Sequence, residues 1–206
     1  MKQKYFIDTH KGLTFLAILA MMAAFQQWQN TTAWIYLALH GTYGLLWVAK
    51  SWIFPDKQWE EDKGFGFGLI IWVGLSLYWI TAYLITSQSI TAPAWMLALC
   101  VSIYTLGIFL HFVTDMQKYI ELKFNPDHLI TDALLSRVRN MNYFGELLIY
   151  LGFGLLAMHW LPLIIIFLYI IFVWGPNMYK KDRSLSRYPG FSEYKRKTKL
   201  FLPFLF

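Results

Sequence analysis

Six long apolar runs, at about residues 12–28, 33–49, 65–86, 93–113, 144–159 and 161–178, hold one carboxylate between them, Glu146, and no lysine or arginine. An α-helix rises ~1.5 Å per residue, so about 20 apolar residues cross a ~30 Å hydrocarbon layer. A water-soluble domain of ordinary composition carries about 25% charged residues. This 206-residue chain has 15% charged and 57% hydrophobic residues. The pattern therefore predicts an all-α integral membrane protein with six transmembrane helices, a single membrane domain over residues 1–206. It excludes a soluble enzyme and a disordered chain. Cys100 is the only cysteine, which excludes a disulfide scaffold and a cysteine-based zinc site. The first run has no small-residue cleavage site and is read as a membrane helix, not a signal peptide.

The connections between these runs are charged on one side only. Residues 29–32, 87–92 and 159–161 contain no Asp, Glu, Lys or Arg. All 18 Lys and Arg fall elsewhere: three in residues 2–11, three in 50–63, four in 118–139 and eight in 180–199. These groups sit on alternate connections, so one membrane face holds every positive charge. The positive-inside rule makes that face cytoplasmic, with both termini inside, as in a multi-pass protein of a bacterial inner membrane. The net charge of +6 thus reports topology in a lipid bilayer, not nucleic-acid binding. An ionic cofactor would enter from the same face. Residues 114–142 and the basic tail 179–200 interrupt the membrane pattern and are read as a cytoplasmic cap.

The densest polar constellation begins at Asp115-Met116-Gln117-Lys118 and continues through Arg139, Asn142, Tyr143 and Glu146. On a helix extending the fourth run, Asp115 and Lys118 share a face. A carboxylate within a span is costly, so Glu146 should face the protein interior beside a donor, and Gly145 permits close approach of a backbone or a ligand. Two readings stand together: a structural cap in which Glu146 pairs with Arg139 or with the end of the fourth run, or a ligand site. The tail offers a similar choice. A juxtamembrane basic cluster suits anionic lipid heads, but its interleaved tyrosines and its Pro189-Gly190 turn also suit a phosphate-bearing nucleotide.

Asn142-Tyr143-Phe144-Gly145-Glu146, preceded by Arg139, resembles the signature of the steroid 5-alpha-reductase C-terminal domain family. Thr114-Asp115-Met116-Gln117-Lys118 resembles an element of its uncharacterised bacterial branch. The closing run from Tyr194 to Pro203-Phe204-Leu205-Phe206 resembles the basic stretch and terminus of those reductases. Sterol reductases and isoprenylcysteine carboxyl methyltransferases are distant relatives. The resemblance covers about residues 105–206, leaving 1–104 as N-terminal, substrate-side helices. It implies a membrane enzyme of lipid metabolism that reduces a carbon–carbon double bond with NADPH. Asp115, Asn142 and Glu146 match the family's cofactor-contacting positions. Lys118 and Arg139 match basic positions, Tyr143 lies within the signature, and Tyr194 and Arg196 fall in the C-terminal cofactor region. Arg139-Asn140-Met141-Asn142 replaces the Arg-His-Pro-Asn of many relatives, and Lys180-Lys181-Asp182 replaces a His-rich run.

Reducing an activated alkene needs a proton donor or carbonyl-polarising group beside the hydride source. In the second run His40, Tyr43, Trp47 and Lys50 follow helical spacings of three, four and three, forming one stripe. Either His40 and Tyr43 are satisfied by neighbouring helices, or they face a substrate. The resemblance implies a proton-donating tyrosine on this helix, which points to Tyr43, and an acidic partner on the preceding helix, where Asp8 and His10 stand. The implied substrate is a hydrophobic small molecule such as a steroid, a sterol or another enone. An S-adenosylmethionine-dependent methyltransferase and a non-enzymatic lipid-binding protein are the alternatives. Trp28, Trp34, Trp95 and Trp160 stand near the ends of runs, where interfacial anchors belong.

Overall fold

The computed structural model describes residues 1–204; the Leu205-Phe206 end of the C-terminal motif lies outside the described residues. Those residues form helices and connecting turns, with no β-strand among them. In chain order the α-helices are α1 (Gln3–Ala24), α2 (Thr31–Tyr36), α3 (Thr42–Ile53), α4 (Gly64–Ser76), α5 (Ile80–Ser87), α6 (Ala94–Phe124), α7 (Met141–Gly154), α8 (Trp160–Tyr169), α9 (Gly175–Leu185) and α10 (Phe191–Lys197). Several run on through tighter or wider turns. A π-helical segment, Leu37–Gly41, joins α2 to α3, and another, Ile170–Trp174, joins α8 to α9.

Four segments are long and apolar enough to cross a membrane: α1, Gly64–Ser87, α6 and Trp160–Leu185. Met141–Ala157 is apolar but shorter. The outward residues of these helices are oily: Leu16, Ile70, Phe109, Phe167 and Phe172 are all exposed. Contiguous apolar surface on this scale is costly in water and favourable against lipid tails. The chain is a multi-pass, all-helical membrane protein. Trp28, Trp34, Trp95 and Trp160 are exposed as well, and the Trp34 indole N–H donates to the Trp28 carbonyl at 2.7 Å.

The chain divides into two compact units. The first comprises Met1–Tyr104 and Tyr150–Ile165, the second Thr105–Ile149 and the chain from Ile166 onward. In the first unit α1 packs along α3 and α4. Gly44 makes the approach to α3 possible, since a Cβ there would stand 2.3 Å from the Lys11 carbonyl oxygen. The second helix starts at Asn30, whose side-chain oxygen accepts from the backbone N–H groups of Thr32 (2.9 Å) and Ala33 (3.2 Å). Its amide donates to the Ile90 carbonyl at 3.0 Å, so one side chain caps a helix and ties down another connection.

In the second unit α6 and α7 meet backbone to backbone. A Cβ on Gly145 would lie 2.4 Å from the His111 nitrogen, and one on Gly107 would lie 2.7 Å from the Gly145 carbonyl. Small residues at such a crossing are how helices in lipid gain close van der Waals contact. Beyond the crossing, Leu135, Val138 and Met141 form an apolar core with Leu110, Ile130, Leu134 and Phe144 around it.

Candidate functional site

Polar side chains are buried in both units. In the first unit the π-helical segment carries His40, and π turns interrupt a helix at an energetic cost commonly retained at functional sites. His40 is buried, its ring stacked on Phe153 with centroids 4.2 Å apart. Its Nδ1 shares a 2.7 Å hydrogen bond with the Tyr36 hydroxyl. That oxygen also lies 3.2 Å from the Tyr78 carbonyl, to which it donates. His40 engages Tyr36, one turn back, and Tyr43, Trp47 and Lys50 of the expected stripe are buried as well.

Tyr43 has a different neighbour. The ammonium of Lys11 lies 4.0 Å from the centre of the Tyr43 ring. It also lies 5.2 Å from the Trp47 ring and 5.4 Å from the Tyr150 ring. Lys11 Nζ donates to the Tyr150 hydroxyl at 3.1 Å. Lys11 is 3% exposed and Tyr43 is 0% exposed, so the cation–π contacts form in a dry setting where they are strongest. His10 is buried between Trp79, stacked at 4.6 Å, and Trp72, edge-on at 5.2 Å. Neither of its ring nitrogens has a hydrogen-bond partner among the described residues. Asp8 stands apart from that pair and accepts from the Ser51 hydroxyl at 2.8 Å.

In the second unit Asp115 is buried, and Lys118 pairs with it at 2.6 Å across one helical turn. His111, one turn earlier, places Nε2 3.8 Å from the same carboxylate. Its Nδ1 lies 3.0 Å from the Asn142 carbonyl; a carbonyl only accepts, so Nδ1 carries the hydrogen. His111 therefore links α6 to α7 beside the Gly107–Gly145 crossing. The side-chain oxygen of Asn142 is buried with no hydrogen-bond partner among the described residues. Glu146 follows one turn later on α7, half-buried.

Arg139 is 5% exposed and serves the cap. Nε and Nη2 donate to the two carboxylate oxygens of Asp182, at 3.1 and 3.0 Å. Nη1 reaches the Thr198 carbonyl at 2.8 Å and its hydroxyl at 3.1 Å. The carboxylate partner considered for it in Glu146 is in fact Asp182, and this bidentate pair joins residues 43 positions apart. Lys181 continues the clasp, donating to the Arg139 carbonyl at 2.7 Å and to the Asn140 side-chain oxygen at 3.0 Å. Backbone bonds from Arg139 N to Lys199 O (2.9 Å) and from Lys199 N to Arg137 O (2.8 Å) fasten the tail to residues 137–139.

Tyr194 is buried in this cap and donates to the Leu135 carbonyl at 2.7 Å; burial pushes its phenol up to about 12. Tyr143 is half-buried with its ring 5.8 Å from Trp174. Arg196 is exposed. The candidates thus fall into Asp115, Lys118, Asn142 and Glu146 around the α6–α7 crossing, and Arg139 and Tyr194 in the clasp. Sequence reasoning missed Lys11, Tyr36, His111, Tyr150, Lys181 and Asp182. Two had a visible signal, since Tyr36 stands four residues before His40 and His111 four before Asp115.

No family model matches the chain, and no curated protein is similar to it in sequence.

Proposed function

We propose that this chain is a membrane-embedded, NADPH-dependent reductase of a carbon–carbon double bond in a hydrophobic, enone-like substrate. One observation carries the reading: the buried Asn142 side-chain oxygen with no hydrogen-bond partner among the described residues, one turn before Glu146 on α7 and beside the close α6–α7 crossing where His111 meets Asp115. A buried acceptor left unmade costs about 1–3 kcal/mol, and a nicotinamide nucleotide brings amide and hydroxyl donors to such a position. These acceptors suit the amide and hydroxyl donors of the cofactor. Bound there, the dinucleotide would supply the hydride. Asn142, Asp115 and Glu146 would accept its hydrogen bonds, and Lys118, paired with Asp115 at 2.6 Å, would be the cation nearest its phosphates. The similarity of residues 139–146 to the reductase signature agrees with these roles.

Tyr43 is the residue we assign to the substrate carbonyl. A phenol donates a hydrogen bond at neutral pH, and Lys11 against its ring face favours a proton leaving the oxygen as negative charge develops on the substrate. In this reading six helices cross a bacterial inner membrane, both termini lie in the cytoplasm, and the clasp of residues 137–140 and 181–199 caps the nucleotide side.

The test is equilibrium binding of NADPH, NADH and S-adenosylmethionine to detergent-solubilised protein. NADPH should bind and S-adenosylmethionine should not. Binding of S-adenosylmethionine alone would move the chain to the methyltransferases, and binding of none would leave a lipid-binding protein.

A further inference from the structure

The cations of the tail divide into those that the cap uses and those that nothing in the protein uses. Lys181 donates into the clasp. Lys195 lies 3.7 Å from the Asp182 carboxylate, Lys197 pairs with Glu193 at 2.6 Å, and Arg187 donates to Ser184 Oγ at 2.8 Å. Lys180, Arg183, Arg196 and Lys199 remain. All four are exposed, with no hydrogen-bond or ion-pair partner among the described residues. The carboxylates of the tail do not offset them, since Asp182 is buried against Arg139 and Glu193 is taken by Lys197. The outward face is uncompensated positive charge.

The fold sets this face at the level of lipid head groups. Residues 147–179 contain no Asp, Glu, Lys or Arg, and Trp160–Leu185 is long and apolar enough to cross a membrane. Lys180 is therefore the first charge where that helix leaves the hydrocarbon. The tail does not continue outward. It turns at Pro189-Gly190, where Gly190 takes a φ of 82°, and its end returns to the helix. The Phe201 ring lies 6.2 Å from the Trp174 ring, and Trp174 stands fewer than two turns before Lys180, about 9 Å along the axis. The Asn140 amide, directly before α7, donates to the Leu200 carbonyl at 2.9 Å. Residues 199–201 thus lie where one apolar helix ends and another begins. Phe204 is 91% exposed and Tyr179 is 74% exposed. Bare aromatic rings beside unpaired cations suit the zone where phosphates give way to acyl chains.

We propose that this outward face of the tail docks on a leaflet of anionic phospholipid, with Lys180, Arg183 and Lys199 on the phosphates and Phe204 among the upper acyl carbons. The surface is independent of the reductase reading. Each cation held near an anionic leaflet adds roughly fivefold in affinity. The full chain in detergent is offered phosphatidylglycerol and phosphatidylcholine at equal concentration, and retained lipid is read by native mass spectrometry. Phosphatidylglycerol should be retained about tenfold more. Combining Lys180→Gln, Arg183→Gln and Lys199→Gln should bring the two lipids to within about twofold of each other. Combining Lys57→Gln, Lys63→Gln and Lys123→Gln removes equal charge elsewhere and should keep most of the preference. No preference in the native chain, or equal loss in both triple variants, overturns the proposal. Excess glycerol 3-phosphate carries the phosphate without acyl chains and should displace little of the lipid; full displacement assigns the face to a soluble phosphate and overturns the lipid. A nitroxide on Phe204→Cys, in bilayers containing phosphatidylglycerol, should be shielded from a water-soluble relaxation agent. Full access to the agent overturns the interfacial placement, and that readout stands should a triple variant fail to fold.

Discussion

Asn142, Glu146 and Tyr43 differ in what their loss should do. Asn142→Ala removes an acceptor that no described residue uses, so the fold should keep its melting temperature while NADPH affinity falls roughly ten- to hundredfold. Glu146→Gln keeps shape and removes charge, with a loss of the same order. Calorimetric titration beside thermal melts separates these effects; lower stability with intact affinity would make both residues structural. Tyr43→Phe should leave NADPH binding unchanged and cut turnover of an enone about a hundredfold.

Tyr194 makes a prediction in pH. Its phenol, raised to about 12 by burial, contributes stability that is whole below the unfolded value of about 10. That contribution is lost as pH climbs through the folded value. Melts between pH 9 and 12 should fall more steeply for the native chain than for Tyr194→Phe, by on the order of 1–3 kcal/mol. At this scale the sequence was legible where partners are local: Asp115 and Lys118 share a turn and pair. It was opaque for Lys11, whose hydrogen-bond partner is 139 residues away.

Among the elements, the crossing of α6 and α7 depends on hydrogen atoms standing where side chains usually do. Gly145→Ala puts a methyl 2.4 Å from a backbone nitrogen that no rotamer can move. It should destabilise the second unit by roughly 1–3 kcal/mol or more. Gly66→Ala meets nothing within 4 Å and should be tolerated; melting temperatures in detergent compare the two. The apolar runs read from the sequence are mostly helical, and four segments are long and apolar enough to cross a membrane; backbone groups removed from water must bond within the segment. The extension of α6 to Phe124 bears Asp115 and Lys118 on one helix, as their spacing required. The π segment at Leu37–Gly41 left no mark in the sequence. It needs no proline or other breaker residue, only one extra residue accommodated by the packing around Tyr36, His40 and Phe153.

For the whole molecule, the multi-pass architecture follows from apolar length, and the proposed orientation follows from the partition of 18 cations. Single cysteines at positions 30 and 89 should react with an impermeant maleimide added outside intact cells, and those at 57 and 190 should not. Cys100 is buried and should contribute little background. Strong external labelling at 190 would reverse the orientation. Charge counting alone overstated the surface role of the basic residues. Lys11, Lys50 and Arg139 are 3%, 3% and 5% exposed, so part of the apparent topology signal is interior chemistry. Their burial comes from partners distant in sequence, which a linear pattern of charge does not contain.

The clasp on Arg139 also bears on how the protein is made. Its guanidinium is held by Asp182 and Thr198, and the strap that closes over it ends at Lys199 and Leu200. Synthesis runs from the N-terminus, so Arg139 leaves the ribosome well before any of these partners exists. Until residues 181–200 arrive, the region around residues 137–140 lacks these partners and stays hydrated. Translation therefore delivers Arg139 before the cap over it can close. A chain stopped short of Thr198 would carry an arginine prepared for burial with its carbonyl and hydroxyl partners missing, and leaving such a charge half-paired is costly.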